Sequence, residues 1–130
     1  MDYKETNVDD LISFNVVESA RALPVPCIIA STKKGDEPRK LSRFKPDCWV
    51  LAFSDDEKIR RFMDLSYGVL PVIIGEDADH SLEGILRFVI ESKLVSEKTL
   101  VIATGEFQAD NIAHEHSFRI IRANLYQRGS

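Results

Sequence analysis

Three short apolar runs alternate with two amphipathic stretches between residues 27 and 74. The apolar runs cover residues 27–30, 49–53 and 70–74, and the stretches between them carry apolar side chains at helical spacing. Strand, helix, strand, helix, strand is the order that builds a parallel sheet with helices packed on its faces. The pattern therefore predicts an α/β domain.

An amphipathic segment precedes the first apolar run. It predicts a helix over residues 7–22, with Asn7 as its cap and with Leu11, Phe14 and Val17 on an apolar face. That face is broad, so it can cover the sheet or seat against another domain or subunit. Residues 49–53 are apolar throughout, which predicts a central strand covered on both faces.

The second half of the chain continues the alternation. Ser81 is predicted to cap a helix that buries a stripe of apolar residues, and residues 99–103 predict a fourth strand. Residues 118–121 return after a stretch without helical pattern, which indicates an antiparallel last strand. We predict a three-layer α/β/α fold whose mostly parallel sheet has about five strands, the last of them antiparallel.

Composition narrows the class of protein. The chain has 130 residues, 44 % of them hydrophobic and 29 % charged, and its net charge is -4. We expect one domain over residues 1–130, with loose ends at 1–6 and 125–130. The sequence has neither a basic block for nucleic acid nor an apolar run long enough for a membrane helix, and its polar start is unlike a signal peptide. These features predict a cytoplasmic protein in which Cys27 and Cys48 are buried, reduced thiols.

A polar loop follows the first strand, where ligands commonly bind in open α/β sheets. Its residues are Thr32, Lys33, Lys34 and Gly35. A hydroxyl, two ammonium groups and the amides of a helix N-terminus would suit a phosphate. The alternative is a solvated turn before a capped helix, which the acidic pair at residues 36–37 favours. Both interpretations stay open on the residues alone.

Other polar groups carry less chemistry. His114 and His116 could share a metal, since alternate strand residues face the same way, but the sequence offers no clear third ligand. Asp77, Asp79 and His80 are better explained as an acidic loop leading into a helix N-terminus than as an acid–base group. No serine or cysteine nucleophile and no dinucleotide fingerprint stands out. We therefore predict no catalytic residue, no metal and no cofactor.

Several specific motifs follow one another along the central stretch. A Thr-x-x-Gly loop at Thr32 and Gly35 is followed by Leu41-Ser42-Arg43-Phe44-Lys45-Pro46, by the apolar strand at residues 49–53, and by Tyr67-Gly68-Val69-Leu70-Pro71. In this order and spacing the motifs resemble the C-terminal domain of pyruvate kinase, with Lys45 where that family usually has arginine. Residues 98–105 are similar to the family's late strand and Thr-Gly turn.

The resemblance implies regulation and assembly rather than catalysis. In pyruvate kinase the catalytic site lies in a separate barrel, so this chain alone is expected to be non-catalytic, although its parent protein could be a pyruvate kinase. Many family members bind a sugar bisphosphate such as fructose 1,6-bisphosphate in this domain, and pack it against its counterpart between subunits. Carried over, the effector site would comprise residues 32–35 with Arg87, Thr104 and Gly105.

Departures from the family bear on the ligand. Asp36 and Glu37 stand where many members have small hydroxyl residues or arginine, and residues 106–110 lack the family's tryptophan and glycines. The ligand could thus be a different phosphorylated metabolite, or there could be none. A homo-oligomer or a partner domain is the expected partner. A second class of function also remains, a small self-contained enzyme or phosphate-binding protein that uses Thr32, Lys33 and Lys34 with His114 and His116.

Overall fold

Helices and strands follow one another in the predicted order. The structure, a computed structural model, describes residues 3–23, 25–31, 36–57, 68–75, 81–105, 107 and 118–124. Its elements are α1 (Tyr3–Ala22), β1 (Cys27–Ser31), α2 (Asp36–Arg43), β2 (Trp49–Ser54), β3 (Val69–Ile73), α3 (Leu82–Glu91), β4 (Leu100–Gly105) and β5 (Phe118–Arg122). The helix predicted between β2 and β3 falls mostly on residues outside the described ranges.

The five strands form one sheet in the order β3-β2-β1-β4-β5. β1 pairs in parallel with β2 and with β4, and β2 pairs in parallel with β3. β5 runs antiparallel to β4. The predicted mostly parallel sheet with an antiparallel last strand is therefore confirmed.

Helices cover both faces of the sheet. On one face, Val16, Val17 and Ala20 of α1 and Leu41 of α2 pack against residues that include Ile28, Ala30, Val50 and Ile102. On the other face, Leu82, Ile85, Leu86 and Val89 of α3 pack against residues that include Ile29, Leu51, Phe53 and Val101. Alternate residues of the same strands serve the two clusters because side chains alternate across a strand. This arrangement is the predicted three-layer α/β/α fold.

Local chemistry explains where α3 begins. The backbone N–H of Gly84 donates to Oγ of Ser81 at 3.1 Å, so the hydroxyl satisfies an amide that has no partner within the helix. This confirms Ser81 as the cap. The helix then buries the apolar stripe read from its sequence, with Leu82, Ile85, Leu86 and Val89 nearly inaccessible to solvent.

The structure corrects the expected cap of α1 and the expected burial of Trp49. The helix begins at Tyr3, before the expected cap Asn7, and Leu11 and Phe14 of its broad apolar face are exposed, so that part of the face does not cover the sheet. The sheet contacts only the narrower stripe that contains Val16, Val17 and Ala20, because one face of a helix is all a sheet can cover. Trp49 is also exposed, by 57 %, because it is the first residue of β2 and lies at the rim of the layers.

Candidate functional site

The carboxyl ends of β1 and β4 meet at the centre of the sheet. Ser31, the last residue of β1, is aligned with Gly105, the last residue of β4, and Ala30 is aligned with Thr104. From β1 the chain continues to β2 and β3 on one side, and it then returns to β4 on the other side. Strand order therefore reverses between β1 and β4, which is where open α/β sheets form their ligand crevice.

Small hydroxyl residues occupy this end of the sheet. Ser54 ends β2 and Thr104 is the penultimate residue of β4, and both are buried. Oγ of Ser54 accepts from the backbone N–H of Asp56 at 3.1 Å, and its carbonyl accepts from the backbone N–H of Ile74 at 3.0 Å. These bonds tie the end of β2 to the residues that follow β3, so this part of the carboxyl end is held in place.

The backbone of Gly105 leaves the sheet in an unusual conformation. Its φ is 105°, a value that side-chain-bearing residues rarely adopt. Glycine lacks the Cβ that would clash there, so it lets the chain turn away at the crevice. Of the sequence-predicted site residues, Thr104 and Gly105 are thus adjacent to the end of β1.

The phosphate loop itself is only framed by described residues. Thr32, Lys33, Lys34 and Gly35 lie outside the described ranges, but the flanking Ser31 ends β1 and Asp36 begins α2. Ser31 is aligned with Gly105, so the residue that precedes the predicted loop lies beside the Thr-Gly turn. That residues 32–35 form one site with Thr104 and Gly105 stays a prediction.

Arg87 sits in a different environment. It lies on α3, which covers the face of the sheet opposite α2. Nη2 of Arg87 is 3.4 Å from Oε2 of Glu83 one turn earlier, and both side chains are about half exposed. Arg87 thus forms a surface ion pair with Glu83, and of the predicted site residues that the structure describes it is the one not placed beside the end of β1.

The residues considered for metal or acid–base chemistry are not described. His114, His116, Asp77, Asp79 and His80 all fall outside the described ranges. Within those ranges, no group of three or more His, Cys, Asp or Glu is arranged to hold a metal ion. Among the described helices, none combines the length and apolar character that crossing a bilayer requires.

The two thiols lie at the opposite end of the strands. Cys27 begins β1 and Cys48 directly precedes β2, and both are free, as predicted; Cys27 is buried, but Cys48 is only half-buried, because it lies just outside the strand at the rim of the layers. Burial raises the pKa of Cys27 from 9.0 to about 12, and proximity to Cys48 adds to the effect. Burial, and then the Asp47 carboxylate, raise the pKa of Cys48. Because the thiolate is the nucleophile, neither sulfur is activated for catalysis.

At this amino end, Arg21 connects α1 to the turn after α2, a role that the sequence did not predict. Nη2 of Arg21, on the last turn of α1, donates to the carbonyls of Phe44 at 3.1 Å and Lys45 at 3.0 Å. The same guanidinium lies 2.6 Å from a Glu18 oxygen and 3.6 Å from an Asp47 oxygen. It therefore satisfies carbonyls at the end of α2. The sequence carried no signal for this contact, because a basic residue in a last helical turn is expected to bond carbonyls of its own helix, and here the carbonyls follow α2.

Sequence comparisons agree with the architecture. The family described as "Pyruvate kinase, alpha/beta domain" matches residues 10–121. The pyruvate kinase of Lactobacillus delbrueckii subsp. bulgaricus is 35 % identical over 103 residues, which cover 78 % of this chain and 18 % of that protein. The pyruvate kinase of Thermococcus litoralis is 32 % identical over 101 residues, which cover 78 % of this chain and 21 % of that protein. The chain thus spans about a fifth of the length of these relatives.

Solved structures show the same fold at lower sequence identity. The crystal structure of Cryptosporidium parvum pyruvate kinase superposes with a TM-score of 0.73 and 22 % identity, covering 89 % of this chain and 22 % of that one. A second structure of a pyruvate kinase from the same organism has a TM-score of 0.74 and 21 % identity, over 89 % of this chain and 23 % of that one.

Proposed function

Because the chain belongs to the pyruvate kinase alpha/beta domain family, we propose that it is a non-catalytic regulatory domain that binds a phosphorylated metabolite. The observation that carries the proposal is the alignment of Ser31 with Gly105 at the reversal of strand order. Ser31, which directly precedes the polar loop in the sequence, and the Thr-Gly turn lie side by side there. Phosphate-binding sites of α/β proteins commonly use this position.

The chemistry of the crevice supports a phosphate ligand. Residues 32–34 supply one hydroxyl and two ammonium groups, and α2 begins directly after the loop. Amides at a helix N-terminus donate to anions, and lysine is a common phosphate partner. The sequence places two acidic residues, Asp36 and Glu37, directly after the loop, so we expect a metabolite with fewer negative charges than a sugar bisphosphate. Arg87, paired with Glu83, is expected to contribute little to binding.

Thermal unfolding with a panel of phosphorylated metabolites tests this proposal. A compound present at about 100 times its dissociation constant should stabilise the fold by roughly 2.7 kcal/mol, visible as a raised Tm. The double variant Lys33→Ala, Lys34→Ala should abolish the shift. The matched control is Lys93→Ala, Lys98→Ala, which removes two exposed lysines that lie between α3 and the start of β4. If no compound shifts Tm, or if both double variants respond alike, the loop is not the effector site for that panel.

We also propose that the chain assembles with a second copy through the outer edge of β5. The backbone N–H of Ala123 donates to the carbonyl of Thr99 at 2.8 Å. Because alternate residues of an antiparallel strand bond to the same partner, this bond determines which residues of β5 face β4 and which face away. Phe118, Ile120 and Arg122 therefore direct their backbone N–H and C=O groups away from β4. No other described strand pairs with this edge.

The opposite edge of the sheet is less suited to pairing. In β3, the bonds from the Val50 N–H to the Gly68 carbonyl and from the Ile74 N–H to the Ser54 carbonyl fix the phase of pairing with β2. Pro71 then falls on an outward-directed position, and proline has no N–H to donate. β5 contains no proline. In an antiparallel pair centred on Ile120, Arg119 would oppose Ile121 of the second copy, so no two arginines would face each other.

Light scattering of the purified chain over a range of concentrations tests the assembly. We expect a dimer that Ile120→Lys converts to a monomer, because the substitution places like charges opposite each other across the twofold axis. Leu70→Lys is the matched control, since Leu70 is similarly exposed but lies on β3. A wild-type monomer at every concentration, or equal dissociation in both folded variants, would contradict the β5 interface.

A further inference from the structure

A cleft lies at the amino end of β2, away from the crevice described above. Its volume is about 790 Å³, and it is lined by Lys45, Pro46, Asp47, Cys48, Trp49 and Gly68. Cavities of a few hundred cubic ångströms that combine apolar or aromatic walls with few polar groups are typical of small-molecule sites. The cleft is formed by the turn after α2 and by the residue that precedes β3.

Trp49 gives this cleft an aromatic wall. It is the only tryptophan of the chain, and 57 % of its surface is exposed although the next five residues of β2 are buried. Gly68 lies beside it, since the backbone N–H of Val50 donates to the Gly68 carbonyl at 2.8 Å. A Cβ built on Gly68 would meet no atom within 4 Å, so open space adjoins the indole.

The backbone of the cleft is held in a defined shape. Lys45 adopts a left-handed φ of 49° and Gly68 one of 71°. The carbonyl of Lys45 accepts from Nη2 of Arg21 at 3.0 Å, which anchors the turn to α1. Because the turn is held in place, the residues that line the cleft lose less conformational entropy when a ligand binds.

Charge at the rim selects the type of ligand. The Asp47 carboxylate lies 3.6 Å from Nε of Arg21. Nη1 of the same arginine lies 2.6 Å from the Glu18 carboxylate. Lys45 is the other charged residue among the described lining residues, and within the described part of the chain its ammonium group forms no ion pair. An incoming anion would therefore find Lys45 available, while the negative charge of Asp47 is partly neutralised.

From this geometry we propose that the cleft binds a planar aromatic anion, with the ring stacked on Trp49 and the acidic group paired with Lys45. A flat ring matches the face of the indole and contacts Pro46 and Cys48 without needing hydrogen-bond partners. The proposal does not rest on the predicted phosphate site, because the described lining residues of the cleft lie at the amino end of β2 and β3 and not at the carboxyl end of the sheet.

The single tryptophan makes the proposal directly testable. The probe is 4-nitrobenzoate, whose nitroaromatic ring quenches indole fluorescence on contact, and the neutral comparison is 4-nitrobenzamide. We expect saturable quenching of Trp49 by the anion, with an affinity about tenfold higher than for the amide. Quenching that rises linearly without saturation, or equal affinities for the two probes, would overturn the proposal.

Variants separate the two contacts. Lys45→Met should reduce the affinity for 4-nitrobenzoate to that for the amide, while Lys93→Met should leave it unchanged. Lys93 is a matched control because it is exposed and has a similar left-handed φ of 61°. Equilibrium dialysis extends the measurement to Trp49→Leu, which should lose binding, and to Trp49→Phe, which should keep part of it. Unchanged binding in folded Trp49→Leu, or an equal loss in both lysine variants, would also refute the site.

Discussion

The two ends of the parallel strands differ in what they present to solvent. At the carboxyl end, β2 and β4 finish in small hydroxyl or glycine residues, and Ser54 and Thr104 are buried. At the amino end, the large side chains of Trp49, Leu23 and Leu94 are exposed. Small residues leave room for a ligand to approach backbone amides, whereas large exposed apolar groups form surfaces for rings or for other proteins.

The same contrast occurs within one strand. β2 begins with Trp49 and has Phe53 near its end. Trp49 is 57 % exposed, whereas Phe53 is only 1 % exposed. Phe53 packs edge-on against Phe88 of α3, with ring centroids 5.9 Å apart. Burial at one end therefore stabilises the fold, while exposure at the other end leaves an aromatic ring free for binding.

The largest expected effect is on the free energy of unfolding at the buried end of β2. Phe53→Ala should destabilise the protein by about 3–5 kcal/mol, because it removes a buried ring and leaves a cavity. Trp49→Ala should cost no more than about 1 kcal/mol, since most of that ring is already in water. Urea denaturation of both variants measures the difference. Equal losses would show that the two ends of β2 are not distinct energetically.

A smaller effect is expected where β4 ends. Gly105→Ala should destabilise the ligand-free protein by about 1–3 kcal/mol, because a Cβ is strained at a φ of 105°. Gly75→Ala is the matched control: its added Cβ would meet no atom within 4 Å, its φ is not left-handed, and its cost should stay within about 0.5 kcal/mol. Thermal unfolding compares the two, and similar Tm values would argue that the turn at Gly105 is relaxed.

The smallest effect concerns the thiols at the amino end. Cys27 has a pKa raised from 9.0 to about 12 in the folded state, so the neutral thiol favours folding. Its contribution to the free energy of unfolding is complete below pH 9 and is lost as pH rises towards 12. At pH 10 the loss is about 1.4 kcal/mol. The slope of unfolding free energy between pH 9 and 10 should be shallower in Cys27→Ala than in the wild type.

Alkylation rates give an independent check on the same group. Iodoacetamide should modify the half-buried Cys48 before the buried Cys27, and both should react slowly at pH 8 because little thiolate is present. Rapid modification of Cys27 in the folded protein would contradict its raised pKa.

Much of the fold was predictable because local patterns and tertiary packing agree. The apolar runs became β1 to β4 within a residue or two at their ends, and Ser81 caps α3 as its sequence indicated. β5 pairs antiparallel with β4, as the absence of a helical pattern between them in the sequence suggested. Motif order also identified the family, because loop and turn residues at fixed spacing are more specific than hydrophobic periodicity.

The sequence by itself determined the order of strands and helices and the family, and it supplied a set of candidate phosphate-binding residues that stays a prediction. Tertiary structure alone decided which of them meet: Thr104 and Gly105 lie beside the end of β1, while Arg87 pairs with Glu83 on the opposite face. It also decided that Leu11, Phe14 and Trp49 are exposed. Hydrophobicity shows that a side chain favours burial, but the width of the layers packed against it sets whether burial is achieved.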